Sequence, residues 1–491
     1  MYRKPSKKQL LIQRIVVSVV SVFAVLVIVT GTILFILGFR LDSEKGRLEQ
    51  GALLQFDSVP SGADITVDSK PTGVRTSGKQ SLIAGPHSFI VSKNGYDSWA
   101  KSLTVKAGTL TWLDYIRLVP KNLKTENVAS YKQVVAEKAS PDLKTLIVQE
   151  ETAVPTFQVV DLRSQDVKTS AISLPQNVYS DPTTAGVTHS FMIDQWNPGG
   201  RFVLLKHMYT DKTEWIILDT QNVNASVNVT KLLSVNVSQL QFAGTSGSIL
   251  YGLLSDGTIR KLDLSAATIS RALVSQVKSF SLYEMNTLSY VGLDPDDATR
   301  QVAGIYRDGD ETSHVLRTIN SLDTALLIDI TRYQNDNYVA IAEGTKATVL
   351  MGSYPSSSDD DSSSLKKVSE FTTVSKVDHL SFSEDGTFLV AQSGLNFIGY
   401  EVEHKRVTNA SITATADGTQ PPALKWLDDA YLWIDYGNSL MIREFDGTNS
   451  HTINSVVAGF DATLSQNGRY LYSIGKSGDT YHLQRVKMIL D

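Results

Sequence analysis

Hydrophobic and polar positions follow three different rhythms along this chain. From Ile15 to Phe39 there is no alternation at all: IVVSVVSVFAVLVIVTGTILFILGF runs for 25 residues without a charge. As an α-helix at 1.5 Å per residue it would reach roughly 37 Å, against a hydrocarbon core of about 30 Å. A helix also bonds every backbone polar group internally, as a bilayer demands. A core helix would carry a polar stripe, which is missing here. A secretory signal has an apolar region of about 7–15 residues and a small-residue cleavage site. This run is longer and ends in the bulky Leu34, Phe35, Ile36, Leu37 and Phe39. The pattern predicts one uncleaved transmembrane helix over residues 15–39. A short tail (1–14) precedes it and a charged connector (40–53) follows.

The second rhythm has period two. It runs through Asp64-Ile65-Thr66-Val67-Asp68 and His87-Ser88-Phe89-Ile90-Val91, as half-buried strands require. Glycines 62, 73, 85, 95 and 108 punctuate the runs as turns. Short strands of this kind over residues 54–120 predict a small β-sandwich.

The third rhythm is a degenerate repeat over residues 121–491. Its clearest copies are ASPDLKTLIVQ, WNPGGRFVLLK, FSEDGTFLVAQ and LSQNGRYLYSI. Each reads as a strand, a tight polar turn and a second apolar strand. Weaker copies bring the anchors to Ser140, Asn197, Ala243, Ser281, Tyr333, Ser383, Leu427 and Ser465. The anchors stand about 46 residues apart, which leaves room for two further strands such as TEWIILDT, TIRKLDL and NFIGYEV. Four strands per 40–50 residues make the blade of a β-propeller, here seven- or eight-bladed. Only two strands follow Ser465, so a strand near Asn127 to Val134 is expected to complete the last blade. The fold class is therefore all-β: a small sandwich, then a propeller, with one N-terminal transmembrane helix.

Charge adds a direction. Arg3, Lys4, Lys7, Lys8 and Arg14 precede the helix with no acidic residue, whereas Arg40, Lys45 and Arg47 are mixed with Asp42 and Glu44. The basic excess predicts a cytoplasmic N-terminus and an extracytoplasmic location for residues 40–491. A net charge of −5 offers no general field for nucleic acid. The absence of cysteine excludes disulfides, thiolate metal sites and a cysteine nucleophile, and it suits a bacterial envelope protein.

Residues 54–120 resemble the PEGA domain family. The matching residues are Pro60-Ser61-Gly62-Ala63, Ile65, Val67, Asp68, Gly73, Gly85, His87, Gly95-Tyr96, Trp99, Gly108 and the closing Leu118-Val119-Pro120. Pro-Ser-Gly-Ala replaces the family's Pro-Glu-Gly-Ala, and Gly73-Val74-Arg75-Thr76 departs from its Gly-x-Thr-Pro. The resemblance implies a non-catalytic module of cell-envelope proteins. The turns of the third region resemble the WD40-like repeats of TolB-type propellers, without the Gly-His and Trp-Asp signatures of true WD40 repeats.

Candidate chemistry is sparse. The histidines are His87, His189, His207, His314, His379, His404, His451 and His482, and none has the spacing of a zinc helix. They are expected to be ordinary turn or surface residues. There is no Gly-x-Ser-x-Gly elbow and no phosphate loop. Ser383-Glu384-Asp385-Gly386-Thr387 approaches a sialidase box but lacks a residue, and reads as a blade turn. The SSSDDDSSS run at 356–364 and Asp294, Asp296 and Asp297 read as loop and turn, with a weak calcium contact as the alternative for each. Asn224-Ala225-Ser226 and Asn409-Ala410-Ser411 are glycosylation sequons. No catalytic, cofactor-binding or metal residue and no cofactor is expected. The expectation is a non-enzymatic, membrane-anchored envelope protein whose propeller binds a protein or a polysaccharide. The alternatives are a propeller-type glycan hydrolase or lyase and a TolB-like assembly factor for an envelope complex.

Overall fold

Exposed apolar surface dominates the first element. In a computed structural model the described residues are 7–36, 39–42, 47–181, 186–355, 364–415 and 418–491. Helix α1 spans Lys7–Ile36, and within it Leu11–Leu34 form 24 residues apolar enough to cross a membrane. None of that window is buried against protein, and Phe23 and Ile28 are each 67% exposed. A surface so apolar and so uncovered fits a single-pass membrane anchor. Its hydroxyls are satisfied within the helix: Ser21 donates to the Val17 carbonyl and Thr32 to that of Ile28, each at 2.8 Å. Among the described residues the helix thus includes eight residues ahead of the predicted span, and the chain is extended from Phe39.

The chain forms two compact units, Met1–Asn122 and Leu123–Asp491. In the first, the predicted connector is largely strand. Strands β1 (Phe39–Asp42) and β2 (Arg47–Val59) form a hairpin, and β2 runs on for 13 residues into the sandwich. The remaining strands are β3 (Asp64–Val67), β4 (Lys70–Arg75), β5 (Gly78–Ile83), β6 (Gly85–Ser92), β7 (Trp99–Val105) and β8 (Leu110–Arg117). One sheet joins β1, β2 and β5, with β8 parallel to β2; the other has the order β4-β3-β6-β7. Alternate residues meet between the sheets: Leu54, Phe56, Ile65, Phe89, Trp99 and Leu113 are all essentially buried. The alternation predicted around residues 64–68 and 87–91 becomes β3 and β6.

The second unit contains, among the described residues, eight four-stranded antiparallel sheets. Numbered in chain order, blades one to seven cover 136–173, 189–228, 237–269, 277–319, 326–372, 379–411 and 425–455. Blade eight takes three strands from 463–487, and β9 (Thr125–Tyr131) supplies its fourth by pairing with Thr480–Lys487. The ring thus closes eight-bladed on a strand from its own beginning. Second and third strands are covered on both faces and are apolar almost throughout, as in Phe388–Ser393 and Tyr431–Tyr436. Fourth strands are outermost and alternate or are exposed, as in Lys168–Ser173 and Arg406–Ser411. The core lies as layers between neighbouring blades. Leu204, Trp215 and Ile217 of blade two, for example, pack on Leu240, Leu250 and Leu262 of blade three.

Candidate functional site

The blade turns explain the repeat. In blade six the Ser383 hydroxyl donates to Asp385 at 2.6 Å and accepts from the Phe388 N–H at 3.0 Å. Asp385 in turn accepts from the Thr387 N–H at 3.0 Å. Ser140 with Asp142 and Ser465 with Asn467 build the same turn in blades one and eight. In blade two Asn197 does both tasks, accepting from the N–H groups of Arg201 and Phe202 at 2.9 and 2.8 Å. All four anchors are buried, so each hydroxyl or amide satisfies backbone that water does not reach. The sialidase-like Ser383–Thr387 segment is one of these turns.

First strands touch between blades one and two and along blades three to six, which places them around the axis. Their free edges are bonded from blade to blade by side chains. Lys138 donates to the Asp194 carbonyl at 2.9 Å, Gln195 to that of Leu240 at 2.6 Å and Gln239 to that of Phe280 at 2.8 Å. Asp329 accepts from the Phe382 N–H at 2.7 Å, and Trp426 donates to the Ser381 hydroxyl at 3.1 Å. Lys425 pairs with Asp461. Glu137 sits among these groups with its Oε1 atom unpartnered. Burial, reinforced by the Asp461 charge, pushes its carboxyl up to about 8, so it holds a proton at neutral pH. Burial likewise pushes Asp329 up to about 6 and raises Asp194, while it lowers His379.

A second polar array lies in blade two. His207, fully buried, faces Glu214 across a hairpin, with Nδ1 2.8 Å from Oε1. Its Nε2 lies 2.9 Å from Nδ1 of His189, whose Nε2 lies 3.5 Å from Asp181. Ionised Glu214 only accepts, so His207 donates to it through Nδ1. Glu214 also accepts from the Ser180 N–H at 2.7 Å and hydroxyl at 2.9 Å. Burial works against its charge, but bonds from His207, Ser180 and Asn228 hold the carboxyl down to about 2. Asn228 donates to the Val178 carbonyl at 2.9 Å. Phe191 stacks on His207 with ring centres 4.1 Å apart, and Tyr179 meets both rings edge-on. The array fastens residues 178–181, part of the connection from blade one to blade two.

These histidines correct the expectation of ordinary turn or surface residues: His207 is an interior group, and His189 and His379 are partly covered. Sequence spacing hides the pairing, since His189 and His207 stand 18 residues apart. The signal lay in the two-residue turn between Tyr209 and Lys212, which sets His207 opposite Glu214. Elsewhere His87 bridges Asp68 and the Ile83 carbonyl at 2.6 and 2.8 Å, and His404 bonds Glu401 at 2.8 Å. Asp294 and Asp297 pair with Arg300 around a turn. Residues 356–363 lie outside the described residues. Among the described residues no three His, Asp or Glu side chains converge as metal ligands.

In the first unit, Gly62 of the Pro60–Ala63 turn has φ +76°, the left-handed region that glycine favours, and its N–H bonds the Thr76 carbonyl at 2.7 Å. Ala63 is fully buried behind it. The PEGA domain model matches residues 52–122. The PEGA domain thus begins inside β2 and ends where the propeller unit begins. Among curated proteins nothing matches the chain. Two solved structures to which the chain is similar are the following. The Cps50 (Swd1) β-propeller domain of Myceliophteria thermophila is 11% identical, with a TM-score of 0.40 over 74% of this chain and 99% of that one. An oligogalacturonate lyase in complex with manganese is 8% identical, with a TM-score of 0.41 over 74% of this chain and 98% of that one.

Proposed function

We propose that this is a non-catalytic, membrane-anchored protein of a bacterial cell envelope. Helix α1 is the tether, the PEGA domain joins it to the propeller, and the extracytoplasmic propeller binds a protein or polysaccharide of the envelope. The basic residues before the helix and the envelope setting of PEGA modules support this topology. The observation that carries the binding reading is where the chain enters the ring. Thr125 of β9 pairs with Val486, and Met488 bonds Arg469 of the last first-to-second-strand turn. Entry and exit therefore share the face that bears those turns. The opposite face carries the connections between blades, including the segment fastened by His207 and Glu214.

Photo-crosslinking in native membranes tests the reading. A crosslinker at Val374 or Leu322, which are exposed on inter-blade connections, is expected to capture an envelope protein or glycan. The same group at Met285, exposed on a first-to-second-strand turn, is expected to capture none. Equal capture from Met285, or no capture from any of the three, counts against it.

A further inference from the structure

The hairpin after the helix constrains how the PEGA sheet meets the bilayer. β1 begins three residues after Ile36, and Phe39 pairs with Gln50. β2 does not stop there. It continues to Val59, so Leu53 lies about 10 Å beyond the level of Phe39. Were the hairpin upright on the membrane, with β1 leading away, residues 51–59 would run back into hydrocarbon. Strands of an open sheet cannot be satisfied there. The sheet must therefore lie along the surface, with one face available to it. The other face is covered by the domain core, through Ala52, Leu54, Phe56 and Leu113.

The outward face is graded. Leu53 pairs with Leu110 and Gln55 with Trp112 across β2 and β8. Leu53, Leu110 and Trp112 are 38, 42 and 41% exposed, large apolar groups beside the helix exit. The turn next to them is tied to β2, with Gly108 N–H bonded to the Gly51 carbonyl and Leu53 N–H to that of Thr109, each at 3.0 Å. Lys106 in that turn is exposed, and Lys79 of β5 lies opposite Gln55. Farther along the same strands the outward positions are acidic at Asp57 and Asp114, before the far end of the strands at Val59, 38% exposed, and Arg117. Tryptophan and leucine flanked by lysine, giving way to acid with distance, is the composition of a surface resting on lipid headgroups.

We propose that Leu53, Leu110 and Trp112 seat the PEGA sheet on the headgroup layer of the bilayer that α1 crosses. The domain then lies along the membrane instead of standing off it. The proposal rests on α1 being a membrane span, and the test separates the two. The full-length chain is placed in phosphatidylcholine vesicles with acyl chains brominated near the carbonyl end, and in unbrominated controls. Flotation with the vesicles reports the span. Bromine is expected to reduce tryptophan emission in the wild type, and Trp112→Phe is expected to abolish that loss. Trp99, the domain's other tryptophan, is buried and unaffected. Leu53→Ser with Leu110→Ser is expected to weaken the quenching without changing the thermal unfolding of the domain. A chain that floats but shows equal emission with and without bromine overturns the docking and leaves the span standing. Quenching that grows with protein density on the vesicle, or a Trp112 signal that answers to soluble glycan instead of lipid, also overturns it. A chain that fails to float removes the span and the docking together.

Discussion

Glu214 and Glu137 are both buried carboxyls, and their surroundings drive them in opposite directions. Glu214 accepts from His207 and Ser180, which hold it down to about 2. Its folded value is below the unfolded one, so its contribution is present above about 4.5 and is lost as pH falls toward about 2. Glu214→Gln is expected to cost on the order of 2 kcal/mol at pH 7, a difference that shrinks through that acid window in denaturant titrations. Glu137 has an unpartnered oxygen and is pushed up to about 8. Its folded value is above the unfolded one, so stability erodes as pH rises from about 4.5 to about 8. Glu137→Gln is expected to raise the melting temperature at pH 8, by roughly 2 kcal/mol of stability, and to do little at pH 4. Destabilisation by that same substitution at pH 8 contradicts the placement. Neither environment is visible in the sequence, because each depends on residues brought from distant strands: Glu137 meets Asp461, and Glu214 meets Ser180.

Blades are legible where their turns carry side-chain caps. Ser140, Asn197, Ser383 and Ser465 each bond backbone four or five residues on, so the polar residue types recur and mark the repeat. At Ser281 and Tyr333 the anchor falls inside or at the end of a strand, and the turns are the short Glu284–Asn286 and Gln334–Asn335. Such turns have no fixed cap, so their copies are weak. Ser383→Ala is expected to destabilise the propeller by about 1–2 kcal/mol, because it removes the acceptor of the buried Phe388 N–H. Ser281→Ala, on an exposed strand position, is expected to stay within about 0.5 kcal/mol. Chemical denaturation of the two variants compares them directly. The β1–β2 hairpin was hidden for a related reason. Its strands are charged and half outside the sandwich, so residues 40–53 read as connector until Phe39 is seen opposite Gln50.

At the scale of the molecule, closure is local and tethering is not. β9 completes blade eight, so the strand that follows the PEGA domain is also the clasp of the ring. The propeller, as a ring of seven or eight blades, the closing strand near residue 127 and the apolar anchor were readable because each repeats or sustains a pattern over many residues. The side of the membrane rests on flanking charge, and it is the claim on which the envelope reading depends. The chain contains no cysteine, so a single introduced thiol reports its own position. A membrane-impermeant maleimide applied to intact cells is the decisive measurement, made on two single variants, Val374→Cys in the propeller and Lys8→Cys before the span. The expected result is that the propeller thiol is labelled on intact cells, while the thiol before the span reacts only after lysis. Labelling of the thiol before the span on intact cells, with the propeller thiol protected until lysis, contradicts the account.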